Sequence, residues 1–181
     1  MKTHPLILLS ALMLPCAHPL SAAGGGKTLQ VPDFTQSDAI PAEASHDWNL
    51  GATGARGWMY CDNLMTTDAR QIRVTKVEQK SPADGILLVG DVLLGVGGKP
   101  FAYDPRTEMG KALTLAEAAA GGGNLPLIRW RDGKSETVTL KLPVLGSYSA
   151  TAPFDCQKSK RILEQGCKAL ARQIAAGGQN Q

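Results

Sequence analysis

Residues 81–101 read SPADGILLVGDVLLGVGGKPF, runs of Ile, Leu and Val interrupted at short intervals by glycine. Ser81-Pro82-Ala83-Asp84-Gly85 is a turn, because Pro82 fixes its own φ and Gly85 frees the chain to reverse. Residues 91–96 (DVLLGV) read as a core strand, which Gly97-Gly98-Lys99-Pro100 then turns. Turns this close on both sides of an apolar run indicate the centre of a small β-rich domain.

Working outward, residues 71–77 (QIRVTKV) alternate Ile72, Val74 and Val77 with polar residues and predict a half-buried strand. Downstream, Asp104-Pro105 starts a helix, an N-cap carboxylate followed by proline at the first helical position. Met109, Ala112, Leu113 and Ala116 give that helix an apolar face, and Gly121-Gly122-Gly123-Asn124 ends it. Residues 127–131 and 137–142 flank Arg131-Asp132-Gly133-Lys134, the strongest hairpin signal in the chain. Val138, Leu140 and Leu142 face one way in the second arm, which implies a half-buried antiparallel sheet. Past Pro153, Leu163, Cys167, Leu170 and Ile174 recur at helical spacing, so residues 156–176 form an amphipathic helix ending at Gly177-Gly178. Lys158, Lys160, Arg161, Lys168 and Arg172 against Asp155 and Glu164 make it basic. That face is solvated, or it docks a partner domain or a membrane surface.

The ends of the 181-residue chain divide it further. Lys2, the apolar run LILLSALML and Ser21-Ala22-Ala23 have the layout of a secretory leader over 1–23, too short to span a bilayer. Export to the periplasm or beyond follows; a lipid anchor on Cys16 is disfavoured by Pro15, where a small residue belongs. Residues 24–47 mix glycine, proline and small polar residues and read as an extended linker. The domain occupies 48–145, and 146–181 hold a second linker and the C-terminal helix. A formal net charge of +3, lowered by one when Lys2 leaves, is not that of a nucleic-acid binder. No segment after the leader is long and apolar enough to cross a membrane. In an oxidising compartment Cys61 pairs with Cys156 or Cys167, or all three stay reduced. Cys156 and Cys167 lie about 16 Å apart along one helix and cannot bridge.

The phrase VTKVEQKSPADGILLVGDVLLGVGGKPF, residues 74–101, resembles the centre of a PDZ domain: a strand, a Ser-Pro-Ala turn, a Gly-Asp-Val-Leu strand and a Gly-Lys-Pro turn in that order. The following helix and the hairpin RWRDGKSETVTLKL match the order seen in bacterial PDZ modules, so the resemblance spans roughly residues 50–143. HDWNLGATGARGWMY is similar to a group of secreted bacterial proteins that carry such a module near the N-terminus, often ahead of a larger helical domain. The resemblance implies an α+β fold, a small partly open β-barrel or sandwich of five to six strands with one main groove helix, followed here by the C-terminal amphipathic helix. It also implies that a peptide, usually a free C-terminus, adds as a strand between a sheet edge and the helix, its carboxylate held by amides of a glycine-containing loop. Gly54-Ala55-Arg56-Gly57-Trp58, leading into Met59-Tyr60-Cys61, is the preferred candidate loop. Arg56 stands where an apolar residue is usual, although it can pair with a carboxylate. An alternative register uses Leu50-Gly51-Ala52. Met109, Leu113 and Glu117 are the candidates for the opposite wall.

Catalytic chemistry is not in evidence. His4 and His18 fall in the leader and His46 in the linker, and no Gly-x-Ser-x-Gly elbow occurs. No Cys-x-x-Cys, His-x-x-x-His or alternating acidic loop offers metal-ligand spacing, and no cofactor is implied. Gly24-Gly25-Gly26-Lys27-Thr28 imitates the end of a phosphate loop, but Ser21 stands where its first glycine belongs. The expectation is a non-enzymatic peptide-binding module. The alternatives are the regulatory front end of a larger secreted enzyme, and an adaptor whose groove is filled by its own linker.

Overall fold

The computed structural model describes residues 31–44 and 46–177; the leader, Cys16, the phosphate-loop imitation and the first part of the linker lie outside the described residues. Seven strands form one antiparallel sheet: β1 (Trp48–Asn49), β2 (Ala55–Trp58), β3 (Ile72–Val77), β4 (Val92–Val96), β5 (Lys99–Pro100), β6 (Asn124–Arg131) and β7 (Lys134–Lys141). Their order is β1-β2-β3-β4-β6-β7, with β5 paired to β4. Helix α1 (Pro105–Glu117) follows β5, and α2 (Gln157–Gly177) follows the sheet. The fold class is α+β, as expected, with seven strands where the resemblance implied five to six; two of them are only two residues long. One is β5: Gly97 and Gly98, at φ 65° and 77°, make the turn, and Lys99 and Pro100 pair back on Val96 and Gly95.

Alternation along the strands makes two apolar faces. Leu93 in β4 joins Ile72 and Val74 of β3, Leu125 and Leu127 of β6 and Leu140 of β7 in the main core, which Met109 and Ala116 of α1 close. Its neighbour Val92 faces the other way, where Trp58 and Phe34 form a second cluster. Within the described part of the segment read as an extended linker, Phe34, Ile40 and Ala44 therefore pack on the sheet. Phe34 is 2 % exposed and meets Trp58 edge-on, with ring centroids 5.7 Å apart. Gln71 fastens it, accepting from the Phe34 amide and donating to Asp33, both at 2.7 Å.

The quoted stretch has a supporting role besides its core strand. Ala83 and Leu87 are buried, and the turn lies directly beneath residues 53 and 54. Ala83 N–H donates to Thr53 O at 3.0 Å and Glu78 N–H to Gly54 O at 2.9 Å. Gly54, at φ 74°, has Ser81 so close that a Cβ would lie 2.2 Å from the Ser81 Cβ.

Helix α1 begins as expected. Asp104 accepts from the Arg106 amide at 2.9 Å and from the Thr66 hydroxyl at 2.6 Å. Thr66 and Arg106 donors outweigh the burial that opposes ionisation and hold the Asp104 carboxyl below its ordinary value. Helix α2 is held at its base by Cys156 and Lys158, both buried, and is exposed beyond them. Leu163, Leu170 and Ile174, its apolar stripe, are 67 %, 57 % and 67 % exposed.

Cys61, Cys156 and Cys167 are all free thiols, so the Cys61–Cys156 pairing is not made. Cys156 is engaged otherwise: its sulfur accepts from the Ser149 amide at 3.3 Å just before α2 begins. Hydrogen bonds from Ser159 and Ser149 favour the thiolate and lower its pKa to about 6.

Candidate functional site

Among the described residues β1 ends the sheet, with its second edge unpaired. Between that edge and α1 lies a cleft of about 220 Å³, lined by Trp48, Leu50, Gly51 and Met59 on the sheet side and by Arg106, Met109 and Leu113 on the helix. Its floor is apolar, Leu50, Met59 and Met109 all being buried. At one end, α1 closes on the turn after β1. Gly51 adopts φ 66°, and a Cβ there would lie 2.9 Å from Leu113 Cδ1. Glycine serves both the backbone conformation and the close approach.

The turn itself is braced from within. Asn49 Oδ1 accepts from the Gly51 amide at 2.7 Å. The buried Thr53 hydroxyl donates to Leu50 O at 3.0 Å and accepts from the Ala55 amide at 3.1 Å. Together with the Ser81–Ala83 support, these bonds fix the loop before any ligand arrives.

At the other end Arg106 lies across the mouth. Its guanidinium carbon is 4.5 Å from the Trp48 ring centroid, and His46 packs on the same indole at a 5.0 Å centroid separation. Among the described residues Arg106 is the one charged side chain in the lining.

The expected site residues fall in three places. Met59, Met109 and Leu113 line the cleft. Gly54 closes the loop beside it as a left-handed residue and faces Ser81. Arg56, Gly57, Trp58, Tyr60 and Glu117 lie away from its lining. Gly57 and Arg56 pair with Trp48 and Asn49 on one side and with β3 on the other, so β2 has no open edge for a ligand strand. The edge expected to be open at Gly57 is thus taken by β1. Trp58 belongs to the Phe34 cluster on the far face, and half-buried Tyr60 packs against both clusters. Burial, together with the charges of Asp62 and Asp68, raises the Tyr60 hydroxyl above its ordinary pKa.

Arg56 is committed within the fold. It donates to Asp47 Oδ1 at 2.5 Å and to Asp47 O at 2.9 Å. Thr75 and Arg56 overcome the cost of burial and hold the Asp47 carboxyl below its ordinary value. Glu117 is taken by Lys158 of α2 at 2.5 Å.

Of the alternative register, Leu50 and Gly51 border the cleft and Ala52 lies outside its lining. Spacing to the 71–77 strand pointed elsewhere because residues 59–71 do not run straight on; they fold into a loop closed by an Asp62–Met65 bridge. Trp48 and Arg106 carried no signal of their own, and only the helix start at Asp104 could have placed Arg106 beside a groove.

No family model matches the chain, and no curated protein matches it. Among solved structures, the HtrA-type protease AlgW with a decapeptide is similar at 26 % identity over 55 % of this chain and 31 % of that one, with a TM-score of 0.33. The chain thus spans about a third of that protease's length. The architecture described above is α+β: among the described residues, an antiparallel sheet ends in a short strand with one edge unpaired, beside one helix. Among the described residues no helix is long and apolar enough to cross a membrane.

Proposed function

We propose that the chain is a non-catalytic module that binds an extended peptide segment or a protein C-terminus by strand addition in the cleft between β1 and α1. The observation that carries this reading is the coincidence of a free strand edge, an apolar floor and a braced glycine turn in one cleft. A strand laid along β1 gains main-chain hydrogen bonds, and the floor receives an aliphatic side chain. In the turn over residues 51–54 the Gly51 amide already donates to Asn49 Oδ1 and the Gly54 amide to Gly51 O, which leaves the Ala52 amide to meet a terminal carboxylate. The leader-like sequence adds export to this proposal.

The test is binding of short fluorescent peptides with free or amidated C-termini, to the native protein and to Leu113→Glu. Leu113 is only half-buried, so that variant places a carboxylate against the floor without opening the core. Selective binding of free acids, lost in the variant while its circular dichroism stays unchanged, supports the proposal; equal binding by both proteins refutes it.

A second reading, the regulatory or substrate-recruiting front end of a larger enzyme such as a protease or a helical-domain hydrolase, is favoured by the exposed Leu163–Leu170–Ile174 stripe. A helix with an apolar stripe this exposed gains little from its own domain. It offers a face on which a further domain docks.

A further inference from the structure

Helix α2 leaves the cover of its domain after one turn. Cys156 and Lys158 are buried, and every residue from Lys160 to Gly177 is exposed, a free length of about 26 Å. Gly166 stands in the middle of that length, where an added Cβ would meet no atom within 4 Å, and glycine there weakens the helix. A segment this short is marginal as a helix in water and needs a packed face.

The face on offer is narrow. Leu163, Cys167, Leu170 and Ile174 follow at spacings of four, three and four residues, the a and d positions of two heptads, and cover about 60° of the circumference. Packing on a domain core takes an apolar arc of about 100° or more, whereas a strict a/d seam suits one facing helix. Arg161, Lys168 and Arg172 lie on the opposite side of the helix, so an anionic membrane drawn to them would meet the polar face and not the seam.

A second copy of the same helix fits this seam when it runs antiparallel. Leu163 then faces Ile174 of the second copy and Cys167 faces its Leu170, and the twofold axis repeats both layers. Beside the seam Glu164 comes opposite Ala171 and Gly166 opposite Gln173, so no like charges meet. A parallel pair would instead stack Lys160, the preceding a position, on its own copy. We propose that α2 is a self-association element through which two copies of this chain pair as an antiparallel two-stranded coil along Leu163, Cys167, Leu170 and Ile174. Two heptads make a short contact, so the pairing is reversible, and it covers the exposed Cys167 thiol. The cleft beside β1 takes no part in it.

The experiment is analytical ultracentrifugation of the native protein, Leu170→Glu and Arg172→Glu in reducing buffer, from about 1 to about 300 µM, with far-ultraviolet circular dichroism on the same samples. The native protein is expected to pass from monomer to dimer across this range, its helical signal rising with it. Leu170→Glu puts a carboxylate in the seam and raises the dissociation constant by at least about tenfold, whereas Arg172→Glu, on the far side, changes it by less than about twofold. A native protein that stays monomeric throughout overturns the proposal, whether or not it sediments with phosphatidylglycerol vesicles. So does a dimer that Leu170→Glu leaves intact, since another face then makes it. Orientation is read by mixing Leu163→Cys with Ile174→Cys, each in a Cys167→Ser background, and oxidising with glutathione disulfide. The mixture is expected to cross-link above the level of Cys167→Ser alone, and neither variant by itself. Self-linking of Leu163→Cys or Ile174→Cys would overturn the antiparallel arrangement.

Discussion

The Lys158 ammonium donates to the Glu117 carboxylate at 2.5 Å, joining the first turn of α2 to the last turn of α1 across 41 positions of sequence. The Lys158 side chain is 2 % exposed and its ammonium sits 4.5 Å from the centre of the Tyr148 ring. Removing one member of such a pair leaves a buried charge without its partner, which costs about 3 kcal/mol. Glu117→Leu or Lys158→Met is therefore expected to lower stability in urea by about that amount and to release the base of α2 to rapid amide exchange. The double variant should recover much of the loss. Two single losses that simply add would show that the pair is not coupled.

Phe34 fixes the segment before β1 to the far face of the sheet. Phe34→Ala removes its edge-on contact with Trp58 and the cover it gives Val92. The expected cost is about 3 kcal/mol. Tryptophan fluorescence should shift to the red as Trp58 meets water. Unchanged emission would mean that the segment does not shield the indole in solution.

Gly57 is a packing position within a paired strand. A Cβ there would lie 2.4 Å from Ile72 Cγ2 and 3.2 Å from Arg73 O. Gly57→Ala is expected to destabilise by about 2 kcal/mol through overpacking. Loss of peptide binding in Gly57→Asp would accordingly come with a loss of thermal stability. A Gly57→Asp protein that melts like the native one would contradict this placement.

Stability should fall in acid. Asp33, Asp47 and Asp104 all have carboxyl pKa values below the ordinary 3.8 in the folded chain. The unfolded chain thus binds protons more readily than the folded one, and the stability from these carboxylates is present above about 3.8. It is lost as pH falls through their lower folded values. Urea midpoints measured from neutral pH down to pH 3 should decline toward the acid end, and Asp47→Asn should flatten the decline. A midpoint indifferent to pH would exclude these carboxylates as a source of stability.

What could be read from the sequence follows from the range of the interactions. The turn at Pro82 and Gly85, the strand Val92–Val96, the capped start of α1 and the Asp132-Gly133 hairpin depend on residues close together in the chain, and each stands where expected. Phe34 was hidden because one aromatic among small polar residues makes no period. The Glu117–Lys158 pair was hidden because its halves are remote and each resembles an ordinary surface charge. For the cleft, the apolar helix residues Met109 and Leu113 were visible as a face. Which of two glycine loops opposed them depended on the path of residues 59–71, and their loop and bridge have no periodicity to announce them.

The Ser81–Ala83 turn acts on the cleft without lining it. It is the foundation on which Thr53 and Gly54 rest, and Ser81 leaves no room for a side chain at position 54. In a mutational scan scored by ligand capture, substitutions at 81–83 would therefore be mistaken for losses of recognition, although they damage only the masonry beneath it.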